Sequence, residues 1–301
     1  MAVLGRRARL GMAALAAAVA LVAAVETMGP AGGAPEAIPQ VFVWAEAARA
    51  IAERPRPAGA PAILFIGNSH SYLHDVPAQV AHLIASLGRP MPVAALVAAP
   101  GIALTEPAQD PGIVALLREG RWDWVVLQER SYETLLIPGR AHSDAAFNKL
   151  AAAATEGGAE LLVTGTWAMG TGGDIYRLGA TNSFRGPANP AQMTAMVSTA
   201  LRATAERIGA TFVPVGEVWA AIEAAQPGLP LRHPDLIHSA PAGAYLSALL
   251  HAAVLTGCAP TEMAWAPPTV PPQMARRIRR AARDALGLTR TCQAPVRGSP
   301  R

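Results

Sequence analysis

The stretch ILFIGNSHSYLHDVP, residues 63–77, decides how the chain is read. Four apolar residues, 63–66, run into a turn of Gly67, Asn68 and Ser69, and a helix-like run follows. A short, unbroken apolar run closed by a glycine turn is the pattern of a strand buried on both faces, as in a parallel sheet. A serine on the turn from such a strand into a helix is lifted to the carboxyl end of the strand. The N–H groups of the helix start there favour negative charge.

The same pattern recurs along the chain. Further strands are expected at 92–98, 124–127, 161–164 and 212–215, with helices at 77–87, 113–119, 144–155, 189–208 and 240–256. A lead-in helix is expected in VFVWAEAARAIAE, ahead of the break RPRPAGAP. Apolar strands alternating with helices imply an α/β chain folded as a three-layer α/β/α sandwich with a central parallel sheet. In open α/β sheets the functional residues gather beyond the carboxyl ends of the strands. The polar residues that follow each strand are therefore the candidates. They are Asn68, Ser69 and His70; Gly101; Gln128, Glu129, Arg130 and Ser131; Thr166 and Trp167; and the loop HPDLIHSAP at 233–241.

Within that set, Ser69 needs a base within hydrogen-bond reach and a third group to orient the base. His238 suits the base, and Asp235, three residues earlier, can accept from its Nδ1–H and turn Nε2 toward Ser69. His70 is expected to line the mouth of the site or to face solvent, and Trp167 to serve either as a stacking platform for a sugar ring or as core. With Asn68, these two form the expected substrate-binding set. His233 reads as loop surface. His74 lies four residues from His70, but no third ligand is in view, so neither a metal nor an organic cofactor is expected.

These segments resemble the SGNH/GDSL-type hydrolases, and most closely the branch whose first block reads Gly-Asn-Ser and whose third reads Val-Leu-Gln-Glu. The matching pieces are FIGNSHS, the glycine of APGIAL, WDWVVLQERS, LLVTGTWA, ATFVPVGEVW and DLIHSAPAGAYLSALL, in the family's order over residues 61–257. The resemblance implies a flavodoxin-like fold and hydrolysis of acyl esters, commonly acetyl groups on carbohydrates or lipid esters. It places Ser69 as nucleophile, Asp235 and His238 as its partners, and Ser69, Gly101 and Gln128 as the oxyanion donors. Gln128 stands where most of the superfamily has asparagine, one methylene shorter. Other expectations compatible with the same site are a non-catalytic carbohydrate-binding domain and an O-acyltransferase that uses a sugar acceptor.

Composition bounds the rest. A chain of 301 residues with 51% hydrophobic content can bury a large core without a second domain. The N-terminus carries Arg6, Arg7 and Arg9, then an uncharged run over 10–25, then Glu26 and a Pro/Gly-rich stretch. This is the pattern of a secretory signal peptide over 1–24, with Val22 and Ala24 at the −3 and −1 positions. Cuts near Ala20 or Ala34 also fit, and an uncleaved membrane anchor is the alternative. Taking those three arginines from the 25 basic residues leaves 22 against 21 acidic ones. Near-neutrality argues against a nucleic-acid partner, and membrane contact is expected only through the signal or anchor segment. The basic cluster Arg276, Arg277, Arg279, Arg280 and Arg283 reads as the solvated face of a helix over 273–286.

The two cysteines, Cys258 and Cys292, allow a single pairing, expected in an oxidising compartment; two buried free thiols are the other possibility. The expected organisation is therefore a signal peptide at 1–24, a linker and lead-in helix at 25–60, a catalytic domain at 61–257 and a C-terminal extension at 258–301, pinned by a disulfide. Residues 169–190, rich in Gly, Asn and Thr, are expected to form a lid or substrate loop.

Overall fold

The computed structural model describes residues 42–181, 183–288 and Cys292; the expected signal peptide lies outside them. Five strands, β1 (Ala62–Gly67), β2 (Val93–Ala98), β3 (Trp124–Leu127), β4 (Glu160–Thr164) and β5 (Thr211–Val213), form one parallel sheet in the order β2-β1-β3-β4-β5. The helices are α1 (Ala45–Ala52), α2 (Ser69–Tyr72), α3 (Val76–Ala85), α4 (Thr105–Gln109), α5 (Pro111–Arg118), α6 (Ile137–Glu156), α7 (Pro190–Ile208), α8 (Val215–Ala225), α9 (Pro241–Thr256) and α10 (Pro272–Leu286).

Side chains alternate along each strand and so feed two cores. Leu64, Ile66, Val125, Leu127, Leu161 and Val163 pack against α1, α5, α6 and α7. Ile63, Phe65, Val126, Leu162 and Val213 pack on the other face against α3, α8, α9 and α10. Burying each such side chain contributes about 1.5–3 kcal/mol, which is why strands so short hold together as a layer. This is the expected α/β/α sandwich. The order 2-1-3-4-5 is also the doubly wound, flavodoxin-like one, whose ligand crevice opens between β1 and β3, where successive connections leave in opposite directions.

The flanking segments are parts of this body. Val43 forms an antiparallel bridge with Ala98, and the Trp44 indole donates to Asp110 Oδ2 at 2.6 Å, fastening the lead-in helix to the edge of the sheet. On α10 the arginines face outward or sideways while Ala275, Ile278 and Ala282 enter the second core. Cys258 and Cys292 are joined in a disulfide. The extension expected at 258–301 is therefore, where described, a packed layer of the domain and not an appendage. The segment after β4 is also docked: Ile175 and Phe184 are buried in the first core, and the Tyr176 hydroxyl donates to the Met169 carbonyl.

Candidate active site

The turn after β1 is built around Gln128. Asn68 leaves the strand in extended conformation and caps α2, its Oδ1 accepting from the His70 amide at 3.2 Å. Gln128, directly after β3, lies alongside: its Oε1 accepts from the Asn68 amide (3.1 Å) and the Ser71 hydroxyl (2.9 Å), and its Nε2 donates to Asn68 Oδ1 (3.1 Å) and the Glu129 carbonyl (2.7 Å). A backbone N–H can only donate, so the orientation of the amide is fixed. Gly67 makes the approach possible, because a Cβ there would stand 2.5 Å from Gln128 Oε1. Both Gln128 amide hydrogens are thus engaged inside the turn. That geometry differs from the expectation that the side chain offers a donor to an oxyanion.

The second element is the loop between α8 and α9. It closes on itself through an Arg232–Ser239 bridge and a 2.9 Å bond from the His233 amide to the His238 carbonyl. Asp235 Oδ1 accepts from the amides of Ile237 and His238, both at 2.9 Å. Its Oδ2 meets His238 Nδ1 at 2.7 Å, and His238 Nε2 lies 2.9 Å from Ser69 Oγ. Ser69, His238 and Asp235, as much as 169 positions apart in the chain, form one hydrogen-bonded series. Burial works to raise the Asp235 carboxyl, but the His238 ring and the two amides outweigh it and hold the group well below the usual carboxylate range. An anionic acceptor on Nδ1 leaves Nε2 able to receive a proton from Ser69.

The loop after β2 completes the crevice. Gly101 takes a left-handed turn (φ +59°), and its carbonyl accepts from Arg130 Nη1 at 2.9 Å. Arg130 also forks onto Glu133 Oε2, while Asn68 Nδ2 donates to the Ile102 carbonyl at 3.0 Å. Fully buried Glu129 accepts from the amides of Leu104 and Arg130 and from the Ser143 hydroxyl. Burial, with Glu133 nearby, pushes its carboxyl up to about 7. The residues that follow β3 therefore clamp the Gly101 loop to the Ser69 turn. The sequence signal for this was three polar residues, Gln128 to Arg130, directly after a buried strand.

Of the expected substrate-binding residues, Trp167 takes the core alternative, and Asn68 and His70 are buried in the turn. Asn68 is 2% exposed and fully engaged as a cap and tie. Trp167 is 2% exposed: Trp219 stacks on it at 4.6 Å, the His70 ring packs against it at 4.2 Å, and its indole N–H donates to the Ile237 carbonyl. Buried in this way, it offers no platform to a sugar. His70 is buried and does not face solvent; its ring stands edge-on to His238 at 6.0 Å. Burial, and then the neighbouring His238, push its pKa down to about 3, so it is a neutral packing partner. His233, expected at the loop surface, instead lies with Nδ1 3.1 Å from Asp235 Oδ2 and its side chain 14% exposed.

In sequence, the chain matches no family model and no curated protein. In structure it superimposes on a protein from Slackia heliotrinireducens assigned to the SGNH hydrolases, with TM-score 0.53, 24% identity, and coverage of 65% of this chain and 100% of that one. The chain has the SGNH-hydrolase fold. A DUF4886 family protein from Bacteroides uniformis ATCC 8492 superimposes with TM-score 0.59, 18% identity, and coverage of 75% of this chain and 95% of that one. Within this SGNH fold, Ser69 and Gln128 stand at the carboxyl ends of β1 and β3, the two strands between which the crevice opens.

Proposed function

We propose that the protein is an exported serine esterase that hydrolyses acyl esters of carbohydrates or of small or lipid-like alcohols. The observation that carries this reading is the unbroken series from Ser69 Oγ through His238 to Asp235, with contacts of 2.9 and 2.7 Å, at the crevice of the sheet. Ser69 Oγ attacks the ester carbonyl while His238 Nε2 takes its proton, and Asp235 holds the imidazole in register. The oxyanion is met by the N–H of Ser69, at the open start of α2, and by that of Gly101. His238 then hands the proton to the departing alcohol. Water, activated in the same way, releases the acid. Gln128 acts as a brace for the turn rather than as a third donor.

Export is supported by the apolar N-terminal run and by the Cys258–Cys292 disulfide, a bond that persists in oxidising compartments. The buried state of Trp167 counts against a sugar-binding role that depends on that ring. Hydrolysis of 4-nitrophenyl acetate tests the proposal: Ser69→Ala and His238→Ala are expected to lower kcat by at least about 10⁴-fold with the fold intact. Retained turnover in Ser69→Ala would remove the nucleophile assignment.

A further inference from the structure

Leu236 stands between Asp235 and Ile237 with φ +67°, a left-handed backbone that glycine adopts freely and leucine resists. The loop requires this conformation. The Leu236 amide donates to the His233 carbonyl at 3.1 Å, its carbonyl accepts from Gly170 at 2.8 Å, and Asp235 Oδ1 gathers the next two amides. Glycine would meet every one of these backbone needs. Core packing does not explain leucine either. Ile237 packs into the first core, whereas Leu236 is half-buried and belongs to neither apolar core. Its Cδ2 instead lies over Gly170, 3.1 Å from where a Cβ would stand, at the start of the segment after β4. A large apolar side chain is thus held at a backbone position that disfavours it, one residue from Asp235 and two from His238.

We infer that Leu236 is a specificity-determining residue, its side chain forming an apolar wall against the acyl chain of the ester held at Ser69. The substrates it favours carry acyl chains of several carbons rather than a bare acetyl group. This rests on the reading of Ser69 as the nucleophile. A methylene covered by such a wall is worth about a fourfold gain in kcat/KM.

The test is kcat/KM for 4-nitrophenyl acetate, butyrate and hexanoate in the wild type, Leu236→Gly and Leu236→Asn, with Tm as the check of folding. Asparagine tolerates the left-handed backbone but is polar, so it serves where glycine loosens the loop. The wild type is expected to gain with each added methylene, and both variants to lower the hexanoate-to-acetate ratio at least about tenfold. An unchanged ratio in a folded variant overturns the inference, as does a wild type with no preference for the longer chain. If wild-type Ser69 hydrolyses none of the three esters and fails to react with a fluorophosphonate, the esterase reading itself falls and the inference with it. A reactive wild type whose chain-length profile survives both substitutions removes only the inference.

Discussion

At Gln128 one extra methylene decides what the side chain does. It lets the amide reach back under Gly67, where the oxygen receives the Asn68 amide and the Ser71 hydroxyl, and both amide hydrogens close on Asn68 and Glu129. Gln128→Ala therefore leaves the buried Asn68 N–H without its acceptor. A loss of about 1–3 kcal/mol in urea unfolding is expected together with a fall in kcat. A lower kcat at unchanged stability would return Gln128 to the oxyanion site. Residue types were legible in the sequence: Ser69 at a strand end, and Asp235 and His238 as a pair in the last long loop. The direction of each side chain was not, because it depends on partners far along the chain. Asn68 is turned inward by Ile102 and Gln128, His70 by the stack of Trp167 on Trp219, and His233 by Asp235.

Among the elements, the four strands β1 to β4 stand within two residues of where their apolar runs put them, because burial on both faces leaves an unbroken hydrophobic signature. The last expected strand runs two residues too far: Val215 opens α8, whose alternation of apolar and small residues gave no separate signal. Helix α6 begins seven residues before its expected start, with Pro138 and Gly139 in its first turn, where proline is tolerated.

The residues after β3 brace the Ser69 turn and the Gly101 loop, and their pH response is a second test. The Glu129 carboxyl is raised from 4.5 to about 7, so between those values the folded state binds more protons than the unfolded one. Its contribution is then fully present below about 4.5 and is lost as pH rises through about 7, amounting to on the order of 3 kcal/mol at most. Glu129→Gln is expected to flatten the fall in stability between pH 5 and 8 relative to the wild type, as measured by urea unfolding across that range. An equally steep fall in the variant would show that another group is responsible.

Across the whole molecule, the second core depends on α10, which lies outside the stretch that resembles known hydrolases and packs Ala275, Ile278 and Ala282 under the sheet. The disulfide ties Cys292 back to Cys258 across a separation of 34 residues, a loop whose closure is worth roughly 3–4 kcal/mol on the chain-entropy account. Cys258→Ser is accordingly expected to lower Tm by roughly 6–15 °C for a domain of this size, with turnover at 25 °C preserved. An unchanged Tm would mean that α10 holds its place without the bridge.

If the series from Asp235 through His238 activates Ser69, as proposed, that serine is the one that reacts with an electrophilic phosphonate. The most direct measurement is stoichiometric labelling of the folded protein with a fluorophosphonate, followed by mass mapping of the modified peptide. One phosphonyl group is expected on Ser69 and none in Ser69→Ala or His238→Ala; a folded wild type that stays unlabelled, or that carries the group on another residue, would show that Ser69 is not the activated nucleophile.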